Sequence, residues 1–308
     1  MSIGTEAELA IRSPGTPSDG GDEILSLGGD TWRRLRKNKL AIAGIVIILI
    51  VVLAAILADV IATQPTEGFF AREADGTLRA RQGPSFEHWF GTDDLGRDVY
   101  SRVVHGARFS LVVGFSVVGM ILVVGLTIGG IAGYFGGIVD TLLSRIIDIF
   151  LAFPYLVASI ILVVALGGGQ AAIIIALASL SWVTIARLFR GSVIQIRNAE
   201  YVEAARALGA GHGRILMRHV LPNAVAPTLV YACALVGATI ISEAALQFLG
   251  LGVTEPAASW GLMISRGRSF LQSEPHLVIF PSLALTMTVM GFVLLGDGLR
   301  DALDPRLR

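Results

Sequence analysis

The sequence predicts an all-α integral membrane protein of six transmembrane helices, with a polar helical knob between the fourth and the fifth. Three observations lead there. Of 308 residues, 54% are hydrophobic and 16% charged, against about 25% charged in soluble proteins, and the mean hydropathy is +0.71. Apolar runs long enough to cross a bilayer recur along the chain, roughly 20 residues being sufficient. A basic cluster, WRRLRKNK from Trp32 to Lys39, stands directly before the first run. That arrangement is the signature of a cytoplasmic N-terminus.

Net charge is zero, so no global field favours nucleic acid. Residues 1–30, rich in Gly, Ser, Pro and acids, read as a disordered cytoplasmic tail. Residues 31–62 form a basic anchor and the first span, Leu40 to Ala62, which is too long for the core of a signal peptide. A polar external segment, 63–106, follows. Its second half reads GTDDLGRDVYSRVVHGARFSL, in which Asp98 and Arg102 are spaced for an i,i+4 pair and Leu95, Val99 and Val103 share a face. An amphipathic helix lying in the membrane interface is expected there.

The core, 107–299, carries the remaining spans: Phe109 to Gly133, Thr141 to Leu166, Ala171 to Phe189, Ala224 to Gly250 and Leu277 to Leu295. Gly125, Gly129 and Gly133 recur every four residues, a ridge that lets helix backbones approach closely in lipid. Residues 300–308 form a short cytoplasmic tail.

The knob reads AEYVEAARALGAGHGRILMRHVLP, from Ala199 to Pro222. Tyr201, Val202, Ala205 and Leu208 fall at helical spacing, Asn198 is placed to cap, and Glu200 and Glu203 sit at the positive end of the dipole. Gly209, Gly211 and Gly213 break the helix. A basic segment, Arg214 to Val220, runs to Leu221-Pro222, where proline opens the next span. Ala204 and Ala205 are small enough for a partner to approach closely.

Ionisable residues within spans are costly and mark either pairs or pathways. Arg145 and Asp148 lie three apart and are expected to pair. Glu243, the acid of the fifth span, is expected either in a structural pair or on the route or its gate. The single cysteine, Cys233, excludes an internal disulfide and a Cys-rich metal site, and the five histidines are scattered, so no metal site and no catalytic residue are assigned. The only lysines, Lys37 and Lys39, follow no Gly-rich turn, so the chain lacks a nucleotide-phosphate loop.

Four motifs carry a family resemblance. Glu203-Ala204-Ala205, Gly209 and Leu221-Pro222 resemble, at the same spacing, the cytoplasmic EAA loop of ABC-importer permeases, here 191–222. His219 replaces the isoleucine of the general pattern. GTDDLGRDVYSR, with Gly91, Thr92, Asp93, Gly96, Arg97, Asp98 and Arg102, resembles the GTDxxGRDxxSR segment of C-type subunits of dipeptide, oligopeptide and nickel permeases. ISEAALQFLGLG followed by ASWG, and the tail GDGLRDALDPRLR, are similar to two further segments of that family, and the first of these resemblances implies Glu243, Phe248 and Trp260 as candidate pathway or gate residues.

The resemblance implies a type I ABC-importer permease fold in a bacterial cytoplasmic membrane, multi-pass, with both termini cytoplasmic. It implies a homologous B-type permease, two cytoplasmic ABC ATPases that bind ATP and Mg, an external substrate-binding protein and surrounding lipid as partners, with no cofactor in this chain. Glu200, Tyr201, Glu203, Ala204, Ala205, Leu208, Gly209, Leu221 and Pro222 then couple the ATPases to a pathway for di- or oligopeptides. Nickel or another small substrate is an alternative within the family; a stand-alone secondary carrier or channel is the alternative from another class.

Overall fold

The computed structural model describes residues 32–64 and 80–303. The tail 1–30, residues 65–79 of the polar segment and the terminal 304–308 lie outside the described residues. Among the described residues five helices are long and apolar enough to cross a membrane, and a pair bent at 84° brings the number to six where the two count as one span.

Helix α1, Lys39–Ile56, is apolar on all sides, and residues such as Leu49, Ile50 and Ile56 face outward. At 1.5 Å per residue it spans about 27 Å, close to the hydrocarbon thickness. Asn38 caps it, its Oδ1 accepting from the Leu40 and Ala41 amides at 3.0 and 3.2 Å. A short turn, α2 (Ala58–Ile61), follows the break at Leu57.

Helix α3, Val99–Phe135, has 37 residues. Its length, about 55 Å, exceeds the bilayer core by several turns, so its first turns stand clear of hydrocarbon and carry Arg102, His105 and Arg108. The separate interfacial helix expected from the sequence is therefore not a separate element: residues 99–106 begin this long helix. Residues 91–98 form a tight turn closed by an isolated bridge between Thr92 and Asp98. Leu95 lies in that turn, off the helical face it was expected to share.

The third apolar run is broken. Helices α4 (Gly137–Leu151) and α5 (Tyr155–Ala165) meet at 84°. Pro154 explains the break, because proline donates no amide and disfavours helical backbone at the residue before it. Helix α6, Gly169–Arg197, packs along α3 over its whole length. The glycine ridge makes this crossing: Cβ positions built on Gly125 and Gly133 meet Ile185 and the Arg190 carbonyl, and that on Gly129 meets the Ala186 backbone. Val117, Ile121, Ile173, Leu177 and Ile185 fill the core between them.

Beyond α6 come the knob helices α7 (Glu200–Ala207) and α8 (His212–Ile215), then a π-helical turn at Leu216–Val220. This turn runs without interruption into α9, Leu221–Phe248. Pro222 lacks the amide that would serve the Arg218 carbonyl, and the widened turn, in which the Leu221 amide reaches Leu216, accommodates the ring. Helix α10, Trp260–Gly267, and α11, His276–Leu303, complete the chain. Helix α11 lies antiparallel to α1, with Gly298 against Ala41 and Gly44 against the Gly291 carbonyl. The basic stretch at 33–39, the end of α11 and the knob consequently share one end of the bundle.

Candidate functional site

The knob is built outward from one buried residue. Val202 is fully buried among Phe189, Val193, Ile215 and Val220. Because a helix repeats every 3.6 residues, burying this side turns Tyr201, Ala204 and Leu208 outward. Leu208 is 89% exposed. The single apolar stripe expected from the sequence is thus divided: Val202 points inward with Ala205 half-buried beside it, while Tyr201 and Leu208 point away.

Gly209 closes α7 at φ +83°, with its amide bonded to the Arg206 carbonyl at 3.0 Å and the Ala210 amide to Ala205 at 3.1 Å. Only glycine takes that backbone at low cost. Asn198 is not the N-cap. It ends α6, and Ala199 precedes α7 without a capping side chain, which leaves Glu200 and Glu203 in the first turn to offset the free amides.

The knob is tied to α3 as well. The Tyr134 hydroxyl donates to the His212 carbonyl at 3.1 Å and lies 3.1 Å from His212 Nδ1. Arg197 donates to the Tyr134 carbonyl at 2.7 Å. His219, the departure from the family pattern, rests its ring 6.4 Å from that of Tyr201. The ends of α3, α6 and α9 therefore all meet at the knob.

A cleft of about 320 Å³ opens at the bend between α4 and α5. Phe153 and Tyr155 line it with Ser181 and Thr184 of α6 and Thr239 and Ser242 of α9. Apolar walls with a few hydroxyls are the usual character of a small-molecule route. Glu243, Phe248 and Trp260 are not among its lining residues. Glu243 is fully buried facing α3, where Ser110 donates to it at 3.0 Å. Trp260 is also buried, its indole donating to the Val103 carbonyl at 2.9 Å. Phe248 stacks beneath the Arg268 guanidinium, 5.2 Å away. Arg145 reaches Asp148 only at 3.9 Å, while Arg187 holds the same carboxylate at 3.0 Å.

At the end remote from the knob, the Gly91–Arg102 motif builds a charged latch. Arg97 Nε donates to Asp93 at 2.7 Å, and its two terminal nitrogens clasp both carboxylate oxygens of Glu255. Arg102 adds a contact to Glu255 at 3.3 Å and donates to the Pro256 and Ala257 carbonyls. Both arginines are buried, at 4% and 2% exposure. Asp98 does not pair with Arg102. It caps α3 by accepting from the Ser101 amide at 2.8 Å and meets His88 Nδ1 at 3.0 Å. Gly91 and Gly96 take positive φ in the turn that brings these groups together.

Burial alone would raise the Glu255 carboxyl, but the hydrogen bond from Arg97 and the charges of Arg102 and Arg97 outweigh it and hold it below the usual carboxylate range. Its stabilising effect is accordingly complete at neutral pH and disappears as pH falls through that lowered value. Glu255→Gln is expected to lower stability at pH 7 by about 2 kcal/mol, since it leaves two buried guanidiniums to share the carboxylate of Asp93. The gap between variant and wild type closes under acid, as pH falls below the usual carboxylate range. Thermal unfolding of both proteins across pH reads this directly; a gap independent of pH contradicts the latch.

A family model described as the binding-protein-dependent transport system inner membrane component matches residues 125–308. A second, the N-terminal TM domain of oligopeptide transport permease C, matches 26–84. The chain is 46% identical over 279 residues to the dipeptide transport system permease protein DppC of Alkalihalophilus pseudofirmus, covering 91% of this chain and 90% of that one. It is 42% identical to the oligopeptide transport system permease protein OppC of Bacillus subtilis, covering 98% and 97%. It is 40% identical to the glutathione transport system permease protein GsiD of Pectobacterium atrosepticum, covering 90% of each. Among solved structures, an inward-facing MetNI methionine ABC transporter chain superposes with a TM-score of 0.53 at 22% identity, covering 65% of this chain and 96% of that one. That likeness concerns the fold. With one model matched from Gly125 to the C-terminus and relatives aligned over nearly the whole chain, this protein belongs to the family of binding-protein-dependent inner-membrane permeases of ABC importers and carries their type I fold.

Proposed function

We propose that this chain forms half of the translocation pathway of an ATP-driven importer of di- or oligopeptides and is driven through its knob by separate ATPase subunits. The observation that carries the reading is the outward face of α7: Tyr201, Ala204 and Leu208 stand exposed on a helix whose opposite side is locked down by Val202. The peptide substrates named for the relatives support the cargo class. The grouping of the basic stretch 33–39 with the knob at one end of the bundle supports a cytoplasmic placement of both.

In this mechanism two cytoplasmic ATPases bind ATP with Mg and approach each other. Each carries a docked α7, one from this chain and one from a homologous B-type permease. The rigid links from Tyr134 and Arg197, and the unbroken π turn into α9, pass the displacement to α3, α6 and α9. The cleft at the α4–α5 bend then changes its access from an external binding protein to the cytoplasm. Glu203 orients α7 in the helix dipole, Ala204 and Ala205 fit a groove, and Gly209 allows the turn.

The test is co-reconstitution of this chain with the second permease, the ATPases and the binding protein in proteoliposomes. Uptake of a labelled dipeptide is expected only with ATP and all components. Uptake of nickel instead of peptide would move the substrate class, and gradient-driven flux through this chain alone would overturn the reading in favour of a carrier.

A further inference from the structure

We propose that the groove between the basic turn 32–38 and the end of α11 binds the headgroup of an anionic phospholipid. The groove measures about 280 Å³ and is lined by Arg34, Lys37, Asn38, Asp301 and Ala302. Five cations, Arg33, Arg34, Arg36, Lys37 and Lys39, occur within seven residues, and both lysines of the whole chain are among them. No ion pair is made by Arg34, Arg36, Lys37 or Lys39 among the described residues. Asp301, the one acid on the groove among the described residues, accepts from Asn38 Nδ2 at 3.2 Å, and exposed Arg300 adds a further positive charge beside it.

These cations are held in place. Leu35 is buried against Ala41, Ala302 and Leu299, which folds the basic turn down onto α11. The Arg36 amide closes the turn on the Trp32 carbonyl at 3.0 Å. Asn38 fixes the junction twice, capping α1 through Oδ1 and reaching Asp301 through Nδ2. Backbone freedom that a flexible basic tail would lose on binding has already been lost in folding, which favours a defined site over diffuse attraction.

The ligand is a lipid for a reason of place. Leu40, Ile42 and Val46 are exposed on α1 immediately beyond the cations, so an acyl chain can lie along them while its phosphate meets Arg34 and Lys37. Trp32, 56% exposed, stands at the level where amphipathic rings gather between water and hydrocarbon. Juxtamembrane cations of this kind attract anionic headgroups, each adding a measurable increment.

The experiment uses the full chain purified in mild detergent, with bound lipids counted by native mass spectrometry during titration. Phosphatidylglycerol is expected to bind roughly 30-fold more tightly than phosphatidylcholine, from two cations in contact. The double variant Arg34→Gln/Lys37→Gln is expected to lose that preference. The variant Arg214→Gln/Arg218→Gln, which removes the same charge from the knob at the same end, is expected to keep it. Equal binding of the two lipids to wild-type protein overturns the proposal, as does an unchanged preference in the groove variant. Displacement of phosphatidylglycerol by excess inorganic phosphate overturns it too, since the groove would then be an ion site. The wild-type comparison decides the matter even if the groove variant fails to insert.

Discussion

Leu208→Asp is expected to abolish ATP-driven uptake in the assembled importer while the chain still folds and inserts. Leu208 ends α7 and is 89% exposed, so its removal deprives the fold of almost nothing. Surface substitutions of this kind usually stay within about 0.5 kcal/mol. Its neighbours on the outward face, Tyr201 and Ala204, make an apolar anchor whose natural complement is a pocket on another polypeptide. Truncating such an anchor typically costs about 2–4 kcal/mol, or roughly 30- to 1000-fold in docking. A carboxylate forced into the same pocket adds its own desolvation penalty. Co-purification of the ATPases with the variant measures docking, and peptide uptake measures coupling. Both fall together if α7 is the lever, whereas wild-type uptake would mean that force enters elsewhere. Gly209→Val gives an independent check, because at φ +83° a branched side chain strains the turn without touching the outward face.

Spans and knob were legible in the sequence because they rest on local physics. Continuous apolar runs between polar ends leave a helix few alternatives in hydrocarbon, where each amide must find its partner within the segment. The glycines at 125, 129 and 133 declared a close crossing, and α6 lies against that ridge. Other features were visible yet misread. Pro154 stands in plain view inside the third run, but hydropathy stays high on both sides and conceals an 84° bend. Asp98 and Arg102 have the spacing of a helical pair, but Asp98 precedes the first helical residue, where a carboxylate is better used as a cap.

What the sequence could not disclose depends on contacts between distant segments. Glu255 lies 158 residues from Arg97, in a loop with no periodicity of its own, and nothing at short range marks it as a partner of two buried guanidiniums. The cleft is of the same kind. Its lining comes from the α4–α5 bend, α6 and α9, and Ser181 or Thr239 reads in sequence as an ordinary hydroxyl within a span. Glu243 drew notice as the acid of the fifth span, and its burial against Ser110 follows from the close approach of α3, which a reading of its own helix does not reveal.

The crossing of α3 with α6 is exposed to test at Gly129. A methyl group there would collide with the carbonyl oxygen of Ala186 and stand 3.0 Å from its Cα, both backbone atoms that cannot rotate aside. The two helices would have to separate along a contact that also seats Val117, Ile121 and Leu177. Overpacking in a core costs about 1–3 kcal/mol where side chains can yield, and here only backbone is available, so Gly129→Ala is expected at or above the upper end of that range. The matched control is Gly119→Ala on the same helix. Beyond its own turns of helix no atom lies within 4 Å of its added methyl, and replacing glycine in a helix gains about 1 kcal/mol in propensity. The unfolding midpoint and the folded yield in detergent are therefore expected to fall sharply for the first variant and to hold or rise for the second. Equal behaviour of the pair would mean that α3 and α6 do not cross backbone to backbone.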